Sequence, residues 1–362
     1  MSSSRIDRRT FLKGVSATAL GATLGAAIGS RPLRGLPGEP APAGAPTGMP
    51  APGLAPVGLI HGGDRRRNML EALQAIEKDI REGIGERQVV IKPNFVSTDN
   101  QLAATHVEAI MGILDFLKPF YRKTVVIAES PAGGPAQRGY ENFGYTKLTK
   151  DYDIALRELD ADENKEFWLV DRKLRPAPVR MARMVWDPAY YLISAAVLKT
   201  HNAVVATLGL KNVLVGAALK VGGTNDKRQF HHGTKLINHN LFLLARSIRP
   251  SLTAIDGFEA MQGNGPGGGF PMDSHVAIAS TDVIAADRVG VECMGIDFAD
   301  VGYLSYCARA GLGQGDLEKI RIVGSDLKSC VRKFKLADNI EGQLKWKADD
   351  YQAISLEGDV RS

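Results

Sequence analysis

The chain has 362 residues, a formal net charge of +5 and 44% hydrophobic side chains, which suffices for one large α/β domain or two closely joined lobes. Arg5, Arg8, Arg9 and Lys13 against Asp7 hold much of the excess charge, so the remainder is nearly neutral; with no basic run among aromatics, no nucleic-acid partner is expected. The three cysteines, Cys293, Cys307 and Cys330, lie too far apart for zinc or iron–sulfur ligation.

Arg8 and Arg9, within Asp7-Arg8-Arg9-Thr10-Phe11-Leu12-Lys13, read as a twin-arginine export signal, although Asp7 stands where Ser or Thr is usual. Residues 14–30 carry no charge and are too short and weakly apolar to anchor in a bilayer. Residues 1–30 are therefore expected to be a signal peptide recognised by the twin-arginine export machinery, placing the protein in the periplasm or outside the cell. Pro, Ala and Gly dominate 31–58, the composition of a solvated linker. An α/β domain is expected over 59–336 and a C-terminal extension over 337–362. No later run of 18 uncharged apolar residues supports a stable membrane span.

Apolar spacing predicts helices over 69–80 and 102–117, with short apolar strands over 88–92 and 124–128. Further strands are expected over 167–170, 191–198, 253–255, 276–279 and 320–323, and helices over 235–247, 282–293 and 303–310. This alternation predicts an α/β fold with a mostly parallel sheet and helices on both faces. Ligands of such sheets lie beyond the carboxyl ends of the strands. Lys92-Pro93-Asn94, Glu129-Ser130, Lys199-Thr200-His201, Asp256-Gly257 and Ser280-Thr281-Asp282 each fall where a predicted strand stops.

Between Pro188 and Asn225 there is no Asp or Glu, yet Lys199, His201, Lys211 and Lys220 are set among Val, Leu, Ala and Gly. A lysine in apolar company either extends to water or meets an anion. Gly263-Asn264-Gly265-Pro266, followed by three more glycines, has the backbone freedom to approach an anion, although it has neither the Walker A nor the dinucleotide spacing. His231 and His232, with Asp282, form a candidate metal set; a helix N-cap is the plainer role for Asp282. No Gly-x-Ser-x-Gly elbow and no activated cysteine points to acyl transfer.

Taken in order, Lys92-Pro93-Asn94, Glu129-Ser130-Pro131, Lys199-Thr200-His201, Leu210-Lys211-Asn212 with Gly216, the histidine near 231, Asp256-Gly257, Gly263-Asn264-Gly265-Pro266 and Ser280-Thr281-Asp282 with Asp287 resemble the domain of unknown function 362 family over roughly residues 89–323. Some members of that family carry an added ferredoxin-like module with closely spaced cysteines. This chain lacks that spacing, so the resemblance brings no cluster with it.

The resulting expectation is an exported protein that holds a small anionic substrate or cofactor. His201, Lys199 and Lys211 are the catalytic candidates. Lys92, Asn94, Glu129, Asn212, Lys220, Asp256, Gly263, Asn264 and Gly265 are the binding candidates. Redox or isomerisation chemistry on a carboxylate or phosphate compound is one reading. A non-catalytic periplasmic protein that captures an anion or metal is the alternative.

Overall fold

The computed structural model describes residues 54–348; the twin-arginine motif, the rest of the signal peptide, most of the linker and the end of the C-terminal extension lie outside the described residues. In chain order the strands are β1 Ala55–His61, β2 Gln88–Lys92, β3 Val125–Glu129, β4 Ile154–Glu158, β5 Asn164–Val170, β6 Pro176–Ala182, β7 Tyr190–His201, β8 Val205–Thr207, β9 Leu252–Asn264, β10 Gly268–Ser280 and β11 Ile320–Gly324. The helices are α1 Arg65–Gln74, α2 Glu77–Ile84, α3 Val107–Leu117, α4 Ala136–Asn142, α5 Gly209–Leu214, α6 Thr234–Ala245, α7 Val283–Cys293, α8 Gly302–Arg309, α9 Leu327–Cys330 and α10 Ile340–Leu344.

Nine strands form one sheet in the order β11-β1-β10-β9-β7-β2-β3-β4, with β8 paired to β7, and β5 and β6 form a separate ribbon. Every pairing in the large sheet is parallel except those of β10 with its two neighbours and of β8 with β7. Successive side chains of a strand point to opposite faces, and the two faces carry separate cores. Val89, Ile91, Tyr191, Ile193 and Ala254 meet Met69, Ile80, Ile110 and Ile113 of α1–α3. Val90, Leu192, Ala196, Ile255 and Ile278 meet Leu210, Ile237, Ile284 and Leu304 of α5–α8. The expected α/β class, the mostly parallel sheet and the helices on both faces are all present, in a single domain.

Several boundaries differ from those read from spacing. Among the described residues the first strand starts at Ala55, before the expected 59, because the Pro- and Gly-containing end of the linker is a buried strand inserted between β10 and β11. Gly58 is needed there: a Cβ would lie 2.0 Å from the Ala72 carbonyl oxygen, so only glycine lets α1 pack this closely. The helix expected over 69–80 divides into α1 and α2, and Asp64 opens α1 by accepting the Arg67 N–H at 2.8 Å. The helix expected from 102 starts at Val107, where His106 accepts the Glu108 N–H at 3.2 Å. The fold also continues past 336: α10 follows, and Gln343 and Trp346 are buried. Among the described residues no helix is long and apolar enough to cross a membrane.

Strand lengths matter most for the site. β7 runs on to His201 because β8 folds back on it, pairing Lys199 with Thr207 and His201 with Val205. Lys199 and His201, two residues apart on one strand, therefore project from the same side. β9 does not stop at Asp256; it continues to Asn264 as one arm of a long hairpin with β10.

Candidate functional site: a buried lysine cluster

Pro93 has no N–H to continue the ladder, so β2 ends with Lys92 at the sheet's carboxyl edge, beside the end of β3. The Lys92 Nζ lies 2.9 and 2.8 Å from the two carboxylate oxygens of Glu129, and both side chains are fully buried. Ser130 N–H donates to Glu129 Oε1 at 2.9 Å. Burial raises the Glu129 carboxyl and lowers the Lys92 ammonium, and the attraction between them opposes both shifts. Lys92 also donates to the Pro93 carbonyl at 2.9 Å and to Asn212 Oδ1 at 3.3 Å. Gly216 leaves room for this amine, since a Cβ there would lie 2.7 Å from it.

Asn94 and Asn212 extend the network towards β7. Asn94 Nδ2 donates to Asn212 Oδ1 at 3.1 Å, and Lys199 Nζ donates to Asn94 Oδ1 and, at 3.2 Å, to the Ala103 carbonyl. Asn212 Nδ2 donates to the Lys92 carbonyl at 3.2 Å and to Ser194 Oγ at 3.1 Å. Lys211, the preceding residue on α5, is placed with its Nζ 3.0 Å from His201 Nε2, while His201 Nδ1 accepts the Ala203 N–H at 2.9 Å.

Lys199 is 2% exposed and Lys211 7%, and among the described residues neither is within ion-pair distance of a carboxylate. Burial lowers both to about 7, with Lys211 itself adding to the shift of Lys199. His201 is pushed well below its ordinary value by burial and then by Lys211. Lys227 is a third such amine, missed in the sequence because it stands just beyond the acid-free stretch. Its Nζ donates to the carbonyls of Gly216 at 2.8 Å and Ala218 at 2.6 Å, and burial lowers it to about 7. Three buried amines, those of Lys92, Lys199 and Lys227, thus feel the field of one fully buried carboxylate, Glu129, which only Lys92 contacts, while Lys211 stands against His201.

A second omission is the role of Asp287. This fully buried residue of α7 accepts the N–H groups of Gly209 at 2.8 Å and Leu210 at 3.0 Å, and so anchors the start of α5. Gly209 fits because a Cβ there would lie 2.2 Å from Thr253 Cγ2 and 2.9 Å from the Asp287 carboxylate. An internal carboxylate far along the sequence gives no spacing signal for such a contact.

Other expected site residues are engaged elsewhere. Lys220 is only partly buried; it pairs with Asp160 at 3.3 Å and donates to the Gly134 carbonyl at 2.8 Å. Asp256 faces Arg65, at 3.4 Å, and accepts the Phe258 N–H at 3.0 Å. The glycine segment is the tip of the β9–β10 hairpin, not an open anion cradle. The Gly263 N–H donates to the Lys335 carbonyl at 2.7 Å and the Gly265 N–H to the Gly263 carbonyl at 2.9 Å. Asn264 exchanges hydrogen bonds with Asp338. Gly265 permits close contact with β7, since a Cβ would lie 2.1 Å from the Thr200 carbonyl oxygen.

His231, His232 and Asp282 do not converge as a metal set. Among the described residues no group of three or more His, Cys, Asp or Glu side chains is arranged to hold a metal ion. Because β10 runs antiparallel, Ser280 pairs with Thr253 at the start of β9, whereas Lys199 pairs with Met261 much further along. Asp282 accordingly leaves the sheet in the direction opposite to Lys199 and caps α7 through the N–H groups of Ile284 and Ala285. Desolvation first, and then nearby Lys211, lower His231 to about 4.

The chain is 27% identical over 263 residues to a thylakoid-associated protein of Synechocystis sp., covering 68% of this chain and 74% of that protein. A crystal structure of a protein from Thermotoga maritima shares 13% sequence identity with a TM-score of 0.33; the match covers 58% of this chain, which spans about half (54%) of that protein. Residues 89–292, which contain the whole lysine cluster with Glu129, His201 and Asp287, match the family described as Domain of unknown function (DUF362), and the chain belongs to that family.

Proposed function

We propose that the protein binds a small anionic ligand between Lys199, Lys211 and His201. The observation that carries this reading is the pair of buried amines with no carboxylate, among the described residues, within ion-pair distance. Confining cationic groups in an apolar interior without counter-charge is unfavourable, and it is relieved if an anion enters. Among the described residues Lys211 Nζ is bonded to His201 alone and Lys199 Nζ donates twice, so N–H groups remain on both amines.

The lowered lysines give the reading a specific test. At pH 8 groups that titrate at about 7 are mostly neutral, and an arriving anion favours their charged forms, so binding takes up protons. At pH 6 they are already charged and uptake vanishes. Calorimetric titration with oxalate and with inorganic phosphate, in two buffers of different ionisation enthalpy, measures the uptake directly. Lys199→Met or Lys211→Met is expected to weaken binding roughly tenfold or more. Absence of binding by either anion at both pH values would overturn the reading.

We also infer export through the twin-arginine route, from Arg8, Arg9 and the uncharged segment that follows them. Changing Arg8→Lys together with Arg9→Lys is expected to retain the protein in the cytoplasm, as read by cell fractionation. Unchanged export of the double variant counts against that route.

A further inference from the structure

The contact between His201 and Lys211 defines the protonation of both groups. His201 Nδ1 accepts the Ala203 N–H at 2.9 Å, so that nitrogen carries no proton. A neutral imidazole with a bare Nδ1 holds its proton on Nε2, which lies 3.0 Å from Lys211 Nζ. The Nε2–H is bonded to Lys211 only when the lysine offers a lone pair; an ammonium there would set donor against donor. Hydrogen-bond direction therefore makes Lys211 a neutral amine in this arrangement, the form that prevails above about 7, and its α5 neighbours Leu210, Val213 and Leu214 are buried. Burial shifts both groups in the same sense.

We propose that Lys211 forms an imine with a small oxo acid, a compound whose carbonyl carbon is next to a carboxylate, with Lys199 holding the carboxylate and His201 relaying protons. This rests on the anion-binding reading and adds a covalent step to it. The carboxylate is favoured over a phosphoryl group because the N–H groups of Gly263 and Gly265 are spent within the hairpin and its neighbours. A carboxylate requires no such cradle and is met by one ammonium. As the substrate enters, Nε2–H turns from the Nζ lone pair to the carbonyl oxygen. The lone pair attacks the carbonyl carbon, and His201 gives its Nε2 proton to that oxygen. The bared Nε2 then takes one proton from the new C–N nitrogen, giving the neutral carbinolamine and restoring the imidazole. Loss of the hydroxyl follows, assisted by the same relay. The carbonyl oxygen departs as water with the two amine protons, C=N replaces C=O, and nothing is oxidised or reduced.

Full-length protein incubated with pyruvate and then borohydride, and mapped by peptide mass spectrometry, tests the proposal. A reduced adduct on Lys211, blocked by excess oxalate, is expected. It should be absent from Lys211→Arg and form roughly tenfold or more slowly in His201→Gln. The wild-type peptide map identifies the modified lysine by itself, so the test survives a variant that does not fold. If oxalate binds and no adduct forms at Lys211, or label spreads evenly over surface lysines, the imine proposal falls while anion binding stands. If oxalate does not bind at all, the underlying reading falls first.

Discussion

Lys92 and Glu129 show how a single pair is held in the interior. Removing one partner leaves an uncompensated buried charge, so Lys92→Met alone is expected to cost ~3–5 kcal/mol, whereas Lys92→Met combined with Glu129→Gln recovers part of the loss. Urea denaturation of the four proteins in this cycle measures the difference. Lys199, Lys211 and Lys227 create a different dependence, because each falls from an ordinary value of 10.5 to about 7 on folding. Between those values the unfolded chain binds more protons, so the contribution of these three groups rises with pH across that window and is smallest below about 7. Urea midpoints at pH 6, 8 and 10 are expected to climb in the wild type. They should climb less in Lys211→Met, by up to ~1.4 kcal/mol per pH unit. That Lys199, His201 and Lys211 stand in an apolar stretch without neighbouring acids was legible in the sequence. That Lys220 would find Asp160 was not, because an ion pair depends on distance in space, which the local sequence does not encode.

At the level of elements, the short helix α5 delivers Lys211 and Asn212, and its position depends on parts remote in sequence. Asp287 anchors its start, and burial raises that carboxyl to about 7 from 3.8. Between these values the folded protein keeps a proton that the unfolded chain has lost, so this group's contribution falls as pH rises from about 4 to 7. Asp287→Asn should flatten that part of the stability profile, which thermal melts at pH 5 and pH 8 read out. The C-terminal segment braces the other arm of the cluster. Gln343 Oε1 accepts the Val205 N–H at 2.7 Å, and Asn339 Nδ2 donates to the Asn202 carbonyl at 2.8 Å. Val205, with φ 67, occupies a conformation that a β-branched residue rarely adopts, so this bracing holds a costly turn between Lys199–His201 and β8. Gln343→Leu leaves a buried N–H without its partner, an expected loss of ~1–3 kcal/mol in chemical denaturation. Helices with long apolar periods, such as α3 and α6, were readable from spacing. α5 was not, because six residues are too few for a periodic pattern and its start is set by Asp287.

For the whole molecule, the sheet brings together groups that are up to about 135 residues apart, from Lys92 on β2 to Lys227 beyond α5. β1 joins two parts of that sheet, pairing antiparallel with β10 and parallel with β11. A bulky residue at position 58 must displace the α1 backbone, so Gly58→Val is expected to cost ~2–4 kcal/mol and lower the melting temperature of the entire domain. The strand was not legible because Pro56 and Gly58 gave it the composition of the linker before it; close packing, not flexibility, requires that glycine.

The amino-acid order alone determined the α/β alternation, the buried strands and the apolar stretch in which Lys199, His201 and Lys211 stand, because period and composition are local properties. Tertiary structure decided which lysines are neutralised, that the glycine segment is a hairpin tip, and that Asp282 and the two adjacent histidines do not converge. Those outcomes depend on strand direction and register: one antiparallel strand sends Asp282 away from the cluster, while β7 and α5 bring His201 and Lys211 within 3.0 Å.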